Sequence, residues 1–216
     1  MISLETHDDV FVIDLGDADN RFNDVTVAAL HACLDEIEAS DGPAALVTTA
    51  SGKIWSNGLD LDYVGSLGDD FVGFINEVQR VFVRLLRLPM PTVAAIQGHV
   101  FAGGAMLALA HDVRVMRADR GYFCLPEVDL GMSFTDGMAA LIAAKLSQPA
   151  LQRLGVMGDR IGAEAGVALG VIDAAVGLDE VVTTAIERAT ALSPKAAPNL
   201  AAIRENFYGE AIEALA

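Results

Sequence analysis

The stretch that most constrains this chain runs from Gln97 to Asp112, QGHVFAGGAMLALAHD. It follows Thr92 to Ile96, an apolar segment that predicts a buried strand. It turns through Ala102, Gly103 and Gly104 into AMLALA, which predicts the start of a buried helix. Glycines at such a junction let backbone approach a ligand or another element closely. The first amides of a helix have no partner within it and carry partial positive charge, so they suit an anionic oxygen. On these residues alone two readings stay open: an amide polarises a carbonyl, or the glycines only permit tight helix packing.

The 216 residues suffice for one domain with a real core. No apolar run is long enough to span a bilayer. The N-terminus, MISLETHDDV, lacks the basic region of a signal peptide, so a cytoplasmic protein is expected. The formal net charge is −16, with 14 basic against 30 acidic residues. That balance argues against nucleic acid or an anionic membrane as the main partner. Cys33 and Cys124 have no metal spacing and read as small core residues. No metal site and no dinucleotide fingerprint is found.

Val10 to Leu15, Ala44 to Thr49, Thr92 to Ile96 and Val113 to Met116 predict strands, and Gly121 to Leu125 a short extended piece. Helices are predicted after a cap at Asn23 or Asp24, ending at Asp41-Gly42-Pro43, and from about Asp70 to Leu88, where Pro89 and Pro91 stop the second. Further helices are expected over Met138 to Leu146 and Glu180 to Leu192, and from Ser193-Pro194 to the end, with a short strand or turn at VIDAAV. Strands alternating with helices in the first half point to an α/β class with mostly parallel pairing.

KIWSNGLDL, QGHVFAGGAMLALAHDVRVM and PEVDLG, in this order, resemble the crotonase (enoyl-CoA hydratase/isomerase) superfamily. Within it, HDVRVMRADRGYFCLPEVDLG resembles the peroxisomal-type Δ3,Δ2-enoyl-CoA isomerases. The resemblance implies a crotonase-like spiral of ββα turns over about residues 1–190, a short helical region over about 191–216, and one crotonase-like domain overall. It implies an acyl-CoA thioester as substrate, CoA being part of that substrate with no separate cofactor, and a homotrimer or hexamer.

The chemistry of such a family needs donors for the thioester oxygen and a base for a carbon-bound proton. By the resemblance, the donors are the backbone amides of Leu59 and Gly103, and the base is Glu127. Ser56, Gly58 and Asp60 belong to the first donor's turn, and read otherwise they are an ordinary turn and helix cap. Leu61, Phe101, Met106 and Trp55 are candidates to line the acyl pocket. Arg21 and Phe22 stand where the family contacts the nucleotide moiety. Hydratases of the family carry a second Glu where this chain has Met106, and a lone carboxylate suits an isomerase. Asp136 either tunes Glu127 by like-charge repulsion or caps the next helix. His111 with Asp112 reads as a structural pair at a helix end.

Overall fold

The apolar, β-branched runs pair side by side. In the computed structural model, which describes residues 1–42 and 44–216, strand β1 (Ser3–His7) forms an antiparallel hairpin with β2 (Val10–Asp14). From β2 the sheet continues in parallel through β3 (Ala45–Thr49), β4 (Thr92–Ile96), β5 (Val113–Arg117) and β6 (Ala174–Val176). Every residue of β3 and β4 is buried, as a sheet covered on both faces requires. Alternation divides the side chains. Val12, Val47, Ala95 and Val115 pack on Val181, Ala185 and Ala189, whereas Ile13, Leu46, Ala94, Ile96 and Met116 face the main core. The hairpin strand β1 was not expected, because Glu5, Thr6 and His7 are exposed and give no apolar alternation.

A second, three-stranded sheet repeats the order of the first. Ile54–Ser56, His99–Phe101 and Phe123–Cys124 follow β3, β4 and β5 after short connections, and each pairs in parallel with its neighbour. The chain therefore winds as strand, strand, helix. Successive turns approach closely: an added Cβ on Gly98 would run into the Lys53 carbonyl. The run KIWSNGLDL holds two strands, Ile54–Ser56 and Gly58–Leu59, each too short to show a period.

The helices are α1 (Asp24–Glu38), α2 (Leu61–Ser66), α3 (Phe71–Arg87), α4 (Gly103–Ala110), α5 (Asp136–Lys145), α6 (Val181–Leu192) and α7 (Pro198–Leu215), with short turns at Gln148–Leu151 and Ala163–Ala168. Asn23 caps α1 in a reciprocal box with Thr26. The stop expected after α1 includes Pro43, which lies outside the described residues. Helix α4 is buried on all sides, which accounts for its sequence of Gly, Ala, Leu and Met. Among the described residues no helix is long and apolar enough to cross a membrane.

Helix α7 packs across α3 and α5 and is pinned by an ion pair between buried Arg204 and partly buried Asp112. Arg204, 4% exposed, bonds Asp112 through Nε at 3.1 Å and through Nη2, and donates to the Leu88 and Met90 carbonyls. Asp112 also accepts the Thr92 amide at 2.8 Å. Removing one partner of such a pair strands the other charge. Arg204→Met is expected to lower unfolding free energy by about 3 kcal/mol, read from urea titration midpoints. His111 is structural, but not as a pair with Asp112: its Nδ1 lies 2.8 Å from the Leu107 carbonyl and its Nε2 2.9 Å from Thr48 Oγ1, while Asp112 bonds Arg204 and Thr92. Burial pushes the His111 pKa down to about 4, so it stays neutral.

Candidate active site

The site begins where two backbones meet. Gly58 has φ +72°, and a Cβ added there would lie 2.6 Å from Gly103 N. The Gly58 amide bonds Ser56 Oγ at 3.1 Å, and the Asp60 amide bonds the Phe22 carbonyl at 3.0 Å. Amides alternate along a strand, so Leu59 N–H points away from Phe22. Gly103 opens α4, where its N–H has no acceptor within the helix. The preceding residue, Ala102, has φ 50° and ψ −126°, a conformation that favours glycine and costs about 1–3 kcal/mol. Its amide, held by the Cys124 carbonyl at 3.1 Å, ties this sharp turn to the small sheet.

Gly104 has a different use. A Cβ there would lie 2.6 Å from the Ser56 carbonyl oxygen, so this glycine lets α4 sit directly on the small sheet. The packing reading of the glycine pair therefore holds for Gly104.

Leu59 and Gly103 line one cavity of about 120 Å³ together with Glu127 and Met106. Among the described lining residues Glu127 is the one ionisable group; most of the others are apolar. Glu127 is 7% exposed, and its Oε2 is buried without a hydrogen-bond partner. Its carbonyl accepts the amides of Leu130 at 3.2 Å and Met132 at 2.9 Å, which fixes the backbone beneath the side chain. Desolvation raises the Glu127 pKa to about 7, opposed only by a hydrogen bond from its own backbone. Such a carboxylate can take and return a proton near neutrality.

The other expected site residues divide. Leu61, Phe101 and Met106 line the cavity. Trp55 does not: it is fully buried, edge-on to the His111 ring at 6.4 Å. Phe22 is 3% exposed and packs against Gly103, so its side chain supports the turn and lies away from the surface where a nucleotide moiety would bind. Arg21 is exposed and pairs with Asp19 at 2.9 Å. Ser56 is buried, its Oγ spent on the Asn20 carbonyl at 2.7 Å and the Gly58 amide. Asp60 caps α2, accepting from the Tyr63 amide at 3.4 Å. Neither Ser56 nor Asp60 lines the cavity.

Asp136 has neither expected role. The cap of α5 is Thr135, whose Oγ1 accepts the Met138 amide at 3.1 Å, and Asp136 is the exposed first residue of that helix. No charge on Asp136 contributes to the Glu127 shift. Sequence reasoning had passed over Phe71, Ile75 and Val78 of α3 and the segment from Leu130 to Met138 as cavity walls. The apolar face of α3 was a signal, but it did not say which part of that face lies against empty space.

Residues 5–216 match the enoyl-CoA hydratase/isomerase family. The chain is similar to Enoyl-CoA delta isomerase 2, peroxisomal, of Arabidopsis thaliana, at 37% identity over 97% of this chain and 93% of that protein. It is similar to Enoyl-CoA delta isomerase 1, peroxisomal, of the same plant, at 34% identity over 82% of this chain and 75% of that one. Its fold is similar to a solved structure of a probable enoyl-CoA hydratase from Mycobacterium tuberculosis H37Rv, with a TM-score of 0.92 at 27% identity, covering 99% of this chain and 91% of the other. The expectation of a cytoplasmic protein is corrected by these names, since both plant relatives are peroxisomal.

Proposed function

The chain belongs to the enoyl-CoA hydratase/isomerase family and has the crotonase fold, and on that premise we propose that it shifts the double bond of a 3-enoyl-CoA to give the 2-enoyl-CoA. An enzyme of enoyl-CoA isomerase/hydratase type acting on acyl-CoA thioesters is the broader class. The observation that carries the narrower reading is the lone carboxylate. Glu127 shares its cavity with Met106, a thioether that cannot activate water.

In this reading the thioester oxygen accepts the amides of Leu59 and Gly103. Glu127 takes a proton from C2, and the C–H electron pair moves toward C1 to give a dienolate whose charge rests on that oxygen. The protonated Glu127 then delivers the proton to C4, and the double bond settles between C2 and C3. Each fixed amide donor is worth about 2.7–4 kcal/mol to such a transition state. An apolar wall keeps water from adding to the alkene. No separate cofactor enters the cycle. Arg21 remains the candidate contact for the CoA moiety, and a homotrimer or hexamer is the assembly proposed.

Two assays test the reading together. Given 3-enoyl-CoA, the protein is expected to form 2-enoyl-CoA; given 2-enoyl-CoA, it is expected to form little 3-hydroxyacyl-CoA. Rapid hydration would replace isomerase by hydratase. A pH profile follows from Glu127. The group acts first as a base, so kcat/KM is expected to rise with pH and level off above about 7. A profile that levels off near the ordinary carboxylate range would remove this buried group from the first step.

A further inference from the structure

Gln79 is a polar residue on the apolar face of α3, 5% exposed, and it takes no part in the chemistry above. It is the middle of a hydrogen-bond chain. The Met138 amide donates to Thr135 Oγ1 at 3.1 Å, the Thr135 hydroxyl donates to Gln79 Oε1, and Gln79 Nε2 donates to the Leu215 carbonyl at 3.3 Å. A carbonyl can only accept, so Leu215 fixes which end of the Gln79 amide faces α7 and leaves Oε1 for Thr135. The chain runs from the cavity wall to the last turn of α7. That contact is tight: a Cβ on Gly137 would lie 2.5 Å from the Ala214 carbonyl oxygen and 2.7 Å from Leu215 Cα.

Thr135, Phe134 and Met138 line the cavity, as does Val78 beside Gln79. A hydroxyl has one proton to give. With that proton on Gln79 and an oxygen lone pair on Met138 N–H, Thr135 has little left with which to hold water in the cavity. A hydroxyl without its acceptor in an apolar setting either stays unpaired, at a cost, or draws water in. The buried side of the cavity is Ile75, Val78, Met106 and Met138, and the rim is the half-exposed Leu61, Phe71, Leu130 and Met132. An acyl tail longer than the reacting carbons would pack along these apolar walls.

We infer that Gln79 is a positioning residue for acyl-chain selectivity: by holding the Thr135 hydroxyl it keeps the wall beside the acyl tail dry, and so sets how much affinity each added methylene contributes. This inference rests on the acyl-CoA reading of the cavity. The test uses saturated thioesters, which bind without reacting. Calorimetry gives the affinities of butanoyl-CoA and octanoyl-CoA for the intact protein and for Gln79→Leu, Thr135→Val and the double variant.

Gln79→Leu is expected to lose about tenfold of the octanoyl-over-butanoyl gain, with butanoyl-CoA little affected. In the Thr135→Val background, where no hydroxyl remains to be stranded, the same change is expected to cost little. Equal weakening of both thioesters, or an undiminished effect in the Thr135→Val background, overturns the inference. Should Gln79→Leu not fold, Thr135→Val alone decides: it is expected to keep the full octanoyl gain, and a tenfold loss there overturns the inference. Parallel assays of the unaltered protein on 3-enoyl-CoA keep the two readings apart. Binding of both thioesters without isomerisation would refute the activity and leave the chain-length result to judge Gln79.

Discussion

Replacing Glu127 with Gln is expected to lower kcat about a thousandfold, the usual contribution of a positioned acid–base group, with KM little changed. The amide has nearly the shape of the carboxyl but cannot carry a proton from C2 to C4. The same variant is expected to be as stable as the parent or more so at pH 8. The sign follows from the raised pKa. Burial lifts Glu127 from the ordinary 4.5 to about 7, so between those values the folded state binds more protons than the unfolded one. Stability contributed by this group therefore falls as pH rises through that window, and ionised Glu127 is a burden above it. Lost activity with retained melting temperature separates a chemical role from a structural one. Near-normal turnover would remove Glu127 from the mechanism.

Gly58→Ala is expected to lower kcat/KM by about 100- to 1,000-fold, comparable to losing one fixed donor. Two independent obstacles act there. The residue sits at φ +72°, where an L side chain is strained, and the new Cβ would lie 2.6 Å from Gly103 N and 3.0 Å from both Ala102 Cβ and the Phe101 carbonyl oxygen. Those atoms are backbone or a short methyl, so they yield only if the strand-to-helix turn moves. In the proposed mechanism such a shift would displace the two donor amides, those of Leu59 and Gly103, which line one cavity. Leu59→Ala is the control. Its amide stays in place when the side chain is cut back, so activity within a few-fold of the parent is expected. Steady-state kinetics on one 3-enoyl-CoA reads both variants.

How much of this was legible in the sequence depended on what each segment packs against. Residues 10–13, 45–47 and 93–96 are buried on both faces and apolar throughout, so these strands could be read directly. Strands of two or three residues, such as Gly58–Leu59, have no period to read, and tertiary pairing alone creates them. The same limit applied to roles. The resemblance singled out Glu127 and Met106, and the two line one cavity, while the roles given to them remain the proposal. Ser56 had no readable partner, because a hydroxyl beside a glycine turn looks the same whether it faces a ligand or the Asn20 carbonyl, which it bonds. Phe22 was misassigned because its burial against Gly103 depends on a strand pairing across distant parts of the chain. Thr135 and Asp136 are adjacent possible caps, and only the backbone angles at the start of α5 choose between them. Gln79 left a trace, a Gln among Val and Phe on a helix face, but its partners Thr135 and Leu215 are too distant in sequence to be paired by inspection.

In the proposed reaction one enclosed carboxylate moves a proton between two carbons of a thioester held by two peptide amides. A 3-enoyl-CoA deuterated at C2 tests it directly. Mass spectrometry and NMR of the product after brief turnover are expected to show 2-enoyl-CoA with part of the label carried to C4, a transfer that disappears in Glu127→Gln. A 3-hydroxyacyl-CoA as the main product, or a 2-enoyl-CoA with no deuterium at C4 at the earliest times, would contradict it.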